Sequence, residues 1–479
     1  MLKVKPQVPQ TDAIVVGSGP NGLAAAIRLA QAGLKVVVLE AAETPGGGVR
    51  SAEITLPGFI HDTCSSVYPM AYCSPFLSTL PLENHGLQWV FPPAAAAHPF
   101  DDGTAALLHK SVEETAAGLG RDRNGYEALF GDLVAHGEKL FAATMAPMRA
   151  SVLKSPFLMA SFGLRAMRSI RMIAHAYFKT EKARGMFAGI GGHAMLPLEK
   201  LTSAASVLIL ATAAHAAGWP FVRGGSQNLT NALISILKSL GGDVMTEWPV
   251  TSLDELPKAR MVLLDVTPRQ FLKIAGDRVP AGYRRKLEGF RYGMGSFKID
   301  WALSQPVPWK APGCRLAGTV HLGGSLDEIG ESERRAWQGK VSDRPYVLFV
   351  QPSLFDSSRA PAGRHTAWGY CHVPNGYTGD MQEKIEQQVE RFAPGFRDCV
   401  LARSVMGPKE LESRNPNLIG GDVGAGAVTV GQLFFRPTAS LYRTPLPGVY
   451  LCSASTPPAP GVHGMCGYFA AEMALREVR

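Results

Sequence analysis

From residue 13 the chain sets short apolar runs against a glycine turn and an Ala/Leu-rich stretch with helical spacing. Ala13 to Val16 reads as a buried strand, Gly17-Ser18-Gly19-Pro20-Asn21-Gly22 as a tight turn, and the run to about Ala32 as a helix ended by Gly33. Lys35 to Leu39 is a second buried strand, and it closes on Glu40 and Ala41. Strand, glycine turn, helix, strand and acid follow one another as in a dinucleotide-binding βαβ unit.

The same reading places further elements downstream. Gly224-Gly225-Ser226-Gln227-Asn228-Leu229 begins a helix through about Leu240, and Gly241-Gly242 leads into a strand that runs to Val250. Met261 to Asp265 is another strand, turning at Thr267-Pro268. Near the C-terminus, Leu446 to Ser455 is a strand running into a turn of small residues, and Pro457 to Ala471 opens a terminal helix. Gly420 to Gly426 follows a polar stretch and reads as a loop lining a pocket.

Two apolar segments bear on membranes. Leu201 to Ala217 is short of a comfortable span and holds a histidine and several hydroxyls, so a buried helix is expected. Ser151 to Thr180 mixes Phe, Leu, Met and Ile with Lys154, Arg165, Arg168, Arg171 and Lys179. It reads first as a lid helix packing its apolar side inward, and second as a basic amphipathic helix lying on anionic lipid.

Composition narrows the class. With 479 residues, 46% of them hydrophobic, the chain has material for large cores and two or three domain-sized units. The net charge of +8 is spread without a block of like charges or a basic run interleaved with aromatics, which argues against nucleic-acid binding. Seven cysteines stand apart, without paired spacing for zinc or a redox disulfide, so reduced thiols and no metal are expected. The first ten residues lack the apolar core of a secretory signal, so a cytoplasmic location is expected, with peripheral membrane contact as the open question.

The glycine motif has a physical reading residue by residue. Gly17 permits the tight turn, Gly19 lets backbone approach a pyrophosphate, and Gly22 lets the helix pack on the sheet. The pyrophosphate then lies at a helix N-terminus, where free N–H groups and the helix dipole favour negative charge. Glu40 can accept hydrogen bonds from ribose hydroxyls. Pro45-Gly46-Gly47-Gly48-Val49-Arg50-Ser51 would bring a second backbone stretch to the same ligand, with Arg50 able to bond phosphate. The first motif alone does not separate FAD from NAD.

With the double-glycine and Arg50 segment after Glu40, the chain resembles the FAD-dependent phytoene desaturases, amine oxidases and their relatives. It is most similar to the phytoene-desaturase-like branch that includes pyridine nucleotide-disulphide oxidoreductase domain-containing proteins. Supporting stretches are Tyr292 to Trp309, Gly318 to Gly324, Tyr370 to Gly376, Arg391 to Phe396 and Gln432 to Pro437. The resemblance implies FAD as cofactor, held by Gly17 to Gly22, Glu40, Ala41, Gly47, Gly48, Val49, Arg50 and the backbone of Val250. It also implies that Ser453, Ser455, Val462, His463, Gly464 and Met465 face the flavin, where a helix N-terminus would stabilise charge on the reduced ring. Ser453, Ala459 and Phe469 depart from residues frequent in the family, which bears on fine positioning of the cofactor.

The fold class this implies is α/β, α+β overall, with a Rossmann-type FAD-binding domain assembled discontinuously from residues 1–95, 220–290 and 405–479. Residues 96–219 would form a helical lid and 291–404 a sheet-based substrate domain, with ligands at the junction. The expected activity is hydride transfer between an apolar, isoprenoid- or polyene-like small molecule and flavin N5, of desaturase or dehydrogenase type. An amine oxidase is the alternative, although no aromatic pair to sandwich an amine is evident. A non-catalytic prenyl-binding protein of the GDP-dissociation-inhibitor type is the second. Among His193, His321, His372 and His463, only His463 is a weak candidate for an acid–base role, because the resemblance puts it at the flavin.

Overall fold

The structure is a computed structural model and describes residues 9–147 and 156–478. In chain order its principal strands are β1 (Ala13–Val16), β2 (Val36–Leu39), β3 (Ala94–Pro99), β4 (Ala105–Leu108), β5 (Asp243–Met245) and β6 (Met261–Leu264). They are followed by β7 (Gly295–Leu303), β8 (Ala317–Leu322), β9 (Val347–Val350), β10 (His365–Val373), β11 (Val400–Met406) and β12 (Val449–Leu451). The helices that matter below are α1 (Pro20–Gln31), α2 (Pro156–Ala166), α3 (Ile170–Tyr177), α4 (Glu181–Gly191), α5 (Ser203–Ala217), α6 (Gln227–Ser239), α7 (Leu326–Trp337), α8 (Gln382–Phe392) and α9 (Met465–Val478).

A five-stranded sheet in the order β12-β6-β1-β2-β5 is parallel throughout. Parallel strands buried on both faces should be continuous apolar runs, and AIVV and VVVL are that. On one face, α1 and α6 pack Leu23, Ile27, Leu229 and Leu233 against Ala13, Val15, Val36 and Val38. The other face carries Ile14, Val16, Val37 and Leu39 into a second cluster with Trp248 and Phe271. The last helix, α9, lies on α1 closely enough that a Cβ at Gly467 would stand 1.8 Å from the Asn21 carbonyl. An Arg28–Glu472 ion pair at 2.6 Å ties the same two helices.

The second sheet runs β11-β7-β10-β9-β8-β3-β4 and is mainly antiparallel, with one parallel step between β8 and β3. One face is apolar: Phe297, Ile299, Trp301, Phe349, Ala367 and Cys371 pack on Ile385, Val389 and Phe392 of α8. Because side chains alternate along a strand, the opposite face takes Ser296, Lys298 and Asp300 from β7 with Thr366, Trp368, Tyr370 and His372 from β10. That face looks toward the helices of residues 123–217 and forms the floor of the site.

Several boundaries differ from expectation. The β3–β4 hairpin sits in the antiparallel sheet although most of it falls within the segment expected to be helical. The strand expected to reach Val250 stops at Met245, because Glu247 adopts φ 54 and turns the chain. The terminal helix begins at Met465, and Pro457 to Gly464 form a loop. Of Ser151 to Thr180, residues 151–155 lie outside the described residues, and the rest is two helices, α2 and α3, with a break between them. Leu201 to Ala217 yields α5, whose residues are buried or half-buried on nearly every side, as suits a helix apolar all round. Among the described residues no helix is long and apolar enough to cross a membrane.

Candidate active site

A single cavity of about 1680 Å³ begins at the C-terminal edge of the parallel sheet and continues between the antiparallel sheet and the helices. Its first stretch is built by the β1–α1 turn. Gly17 has φ +98, and a Cβ at Gly22 would fall 2.0 Å from the Gly17 carbonyl, so both positions require glycine. Gly47 meets the same turn from the other side: a Cβ there would reach within 3.0 Å of Gly19 Cα. The two backbone stretches therefore form a cradle with no side chain in it. Asn21, at the start of α1, leaves a buried Oδ1 without a partner on this wall.

Of the residues expected at a cofactor, Gly17, Gly19, Pro20, Asn21, Glu40, Ala41, Gly47, Gly48, Val49, Arg50, Val250, Ser453, Val462 and His463 line this cavity. Ser18, Gly22, Ser455, Gly464 and Met465 stand behind the wall. Ser18 supports it, its N–H and hydroxyl donating to Glu40 Oε2 at 2.8 and 2.5 Å, while Ala42 N–H donates to Oε1 at 2.9 Å. Arg50 spends its guanidinium on the carbonyls of Gly47, Thr44 and Arg414. Trp248, beside Val250, adds an aromatic surface at this end.

The opposite wall is Ser453, Ala454 and Pro457 to His463 with the loop Gly424 to Ala427. Asp422 accepts from the N–H groups of Gly293, Gly424 and Gly426 at 2.7 to 2.8 Å, and buried Arg436 donates to the carbonyls of Gly424, Ala425 and Gly426. An acid and a base thus pin the glycine loop from both sides. His463 is spent on backbone: Nδ1 accepts from Met465 N–H and Nε2 donates to Ala459 O, each at 3.1 Å. Burial lowers its pKa to about 4, so it serves as a neutral cap on α9. Cys466 is fully buried and does not reach the cavity.

Residues 15–75 match the model of an NAD(P)-binding Rossmann-like domain. Over 98% of this chain and 94% of its own length, pyridine nucleotide-disulfide oxidoreductase domain-containing protein 2 of Rattus norvegicus is 26% identical. The neurosporene-forming phytoene desaturase of Rhodobacter capsulatus is 24% identical over 95% of this chain and 92% of its own. The chain is similar to both along nearly its whole length. Among solved structures, cyclohexylamine oxidase from Brevibacterium oxydans has the same fold, with a TM-score of 0.57 and 15% identity over 98% of this chain and 99% of that one.

Beyond the cradle, the cavity opens into a chamber with two unlike sides. Met159, Phe162, Ala166, Ile209 and Leu210 from α2 and α5 make one side apolar. The other is the polar face of the antiparallel sheet. Lys298 donates to Asp300, its Nζ stands 4.9 Å from the centre of the Trp368 ring, and Trp368 and Tyr370 are stacked at 6.0 Å. Burial pushes the Asp300 carboxyl up to about 6, with Lys298 pulling the other way. Sequence reasoning singled out none of Lys298, Trp368 and Tyr370. The alternation in SFKID and WGYCH carried the signal, but only the β7–β10 register sets Lys298 opposite Tyr370 and Asp300 opposite Trp368.

Proposed function

We propose that the chain is an FAD-dependent oxidoreductase that moves hydride between a small apolar substrate and the flavin, in the manner of a desaturase or dehydrogenase. The observation that carries this reading is the continuity of one cavity from a side-chain-free glycine cradle to an apolar chamber. Gly17, Gly19 and Gly47 to Val49 approach the pyrophosphate through backbone, and the start of α1 favours its charge. Glu40 is the acceptor for ribose hydroxyls, and Trp248 and Val250 flank the adenine. Val462 and His463, which line the cavity just ahead of α9, would hold the flavin end of the cofactor through backbone. Bound FAD supplies a hydride acceptor at N5, which is the chemistry the protein lacks.

The chain's own residues position the substrate and keep water out. The apolar side chains of α2 and α5 hold an apolar body against the ring, and Lys298 with Asp300 can hold or pass a proton at the floor. An amine substrate is less well served, because the Trp368 face is already taken by the Lys298 ammonium. A cytoplasmic location with peripheral membrane contact fits an apolar substrate. Phe157 is 90% and Leu164 75% exposed, seven residues apart on one face of α2.

Purified protein should be yellow and release flavin on denaturation, and anaerobic addition of an apolar polyene or terpenoid substrate should bleach the flavin band. A folded, colourless preparation that does not take up FAD would overturn the proposal.

A further inference from the structure

Where the helical wall meets the antiparallel sheet, the chamber holds a pair of histidines. His193 follows α4 and lines the cavity half-buried, while His321 lies fully buried on β8. Their Nε2 atoms are 3.0 Å apart and their rings are nearly perpendicular, at 81°. Trp219 packs on both, 5.5 Å from His193 and 6.4 Å from His321. The contact depends on glycines of α4 and the turn after it. A Cβ at Gly189 would stand 2.9 Å from His321 Cβ and 2.7 Å from His98 Nδ1, and one at Gly192 would strike the Tyr346 ring at 2.3 Å. His193 is thus placed by close helix-to-sheet packing.

Two imidazoles at this distance share one proton, so one donates and the other accepts. Burial, reinforced by neighbouring histidines, lowers both pKa values, that of His193 to about 3, and the pair is neutral at ordinary pH. Only two arrangements remain. If His193 donates from Nε2, its Nδ1 is an acceptor; if His321 donates, His193 Nδ1–H is a donor. Among the described residues nothing bonds to His193 Nδ1. The same sheet face holds Ser296 Oγ and Trp368 Nε1, both buried, both on cavity-lining residues and both without partners. Cross-strand pairing runs Lys298, Tyr370, Leu348, His321 in one row, which sets the pair about 14 Å from Lys298 at three strand spacings.

We infer that His193, held by His321, recognises a neutral oxygen on the substrate, a hydroxyl when His193 accepts and a carbonyl when it donates. This rests on the apolar-substrate reading above and narrows it: the molecule is an apolar body with an uncharged oxygen at the end facing the sheet. Buried polar groups that bind such an oxygen reject the analogue lacking it, because they would be left unpaired.

The test uses the flavin-loaded enzyme and compounds with matched bodies: geraniol, its methyl ether, and myrcene, which has no oxygen. Binding is read from quenching of tryptophan fluorescence and from the shift of the visible flavin band, without turnover. Geraniol should bind at least tenfold more tightly than myrcene. In His193→Phe that ratio should fall below threefold with myrcene affinity unchanged, and His321→Gln should lower it less, because an amide can still fix the ring. Equal binding of geraniol and myrcene to the wild-type enzyme would overturn the inference while leaving the apolar chamber intact. Failure of all three to bind flavin-loaded enzyme would overturn the apolar-substrate reading, and this inference with it.

Discussion

Asp265 Oδ2 accepts a hydrogen bond from the backbone N–H of Gly22 at 3.0 Å, at the start of α1. The carboxylate comes from the end of β6 and lies under the glycine turn, where a Cβ on Gly19 would meet it at 2.6 Å. Burial pushes its pKa up to about 7, with the Gly22 hydrogen bond opposing the rise and the Glu40 charge adding to it. A pyrophosphate at the same helix end brings more negative charge near this acid.

FAD binding should therefore take up a proton near neutrality. The dissociation constant of the apoprotein for FAD should rise with pH above about 7, by no more than tenfold per pH unit for one proton. In Asp265→Asn it should be nearly flat. A folded-state value raised above the ordinary 3.8 also means that this group's stabilisation is complete below 3.8 and is lost as pH rises through about 7. Urea unfolding of the two apoproteins across that range should show the loss in the wild type only. Parallel curves would show that Asp265 does not titrate here.

Glu40→Ala should weaken FAD retention by tenfold or more, followed by flavin release on dilution. It removes the proposed acceptor for ribose and also the anchor that Ser18 and Ala42 hold. Glu40→Gln keeps one acceptor and should fall between. Circular dichroism should be unchanged in both, since the site is at the edge of the sheet. Unaltered flavin affinity in Glu40→Ala would remove Glu40 from the cofactor site.

Asp62 and Arg359 form a buried pair, 0% and 1% exposed at the side chain, with Nη1 3.1 Å from Oδ1 and a second bond to Oδ2. Burial alone would raise the Asp62 pKa, but the charge and hydrogen bonds of Arg359 outweigh it and hold the value below 3.8. Arg359→Ala leaves that carboxylate unpaired and should cost about 3–5 kcal/mol in urea unfolding. Asp62→Asn combined with Arg359→Met should recover part of the loss. The pair's contribution is complete above pH 3.8 and declines below it.

Phe157→Ser with Leu164→Ser should abolish sedimentation with phosphatidylserine-containing vesicles at low salt. High salt should weaken the wild type as well, because Arg165, Arg168 and Arg171 belong to the same basic segment. If the wild type stays in the supernatant at every salt concentration, the exposed face of α2 has no lipid role.

The glycine end of the cavity was legible because its signals are local. Gly17 to Gly22, Glu40 and Gly46 to Arg50 form one continuous stretch in which each residue type has its own steric or hydrogen-bonding reason. The C-terminal wall was legible only by resemblance, since Val462 and His463 reach the cavity from a loop that periodicity does not predict. The chamber side was not legible, because its residues acquire meaning in pairs. Lys298 and Tyr370 meet through strand register, His193 and His321 through the fit of α4 on the sheet, and Asp265 and Gly22 across a parallel sheet.

The parallel sheet is assembled from strands far apart in the chain, and β12 and the wall from Ser453 to His463 come late. On the ribosome, the glycine loop is finished before Arg50 has been added, yet its opposing wall is made only after residues 96–219 and the whole antiparallel sheet. A nascent polypeptide thus has half a groove until Ser453 to His463 have been added. Under the function proposed above, flavin capture waits for that late wall, and the yield of loaded protein should follow the FAD supply after the wall is made more than the supply before it.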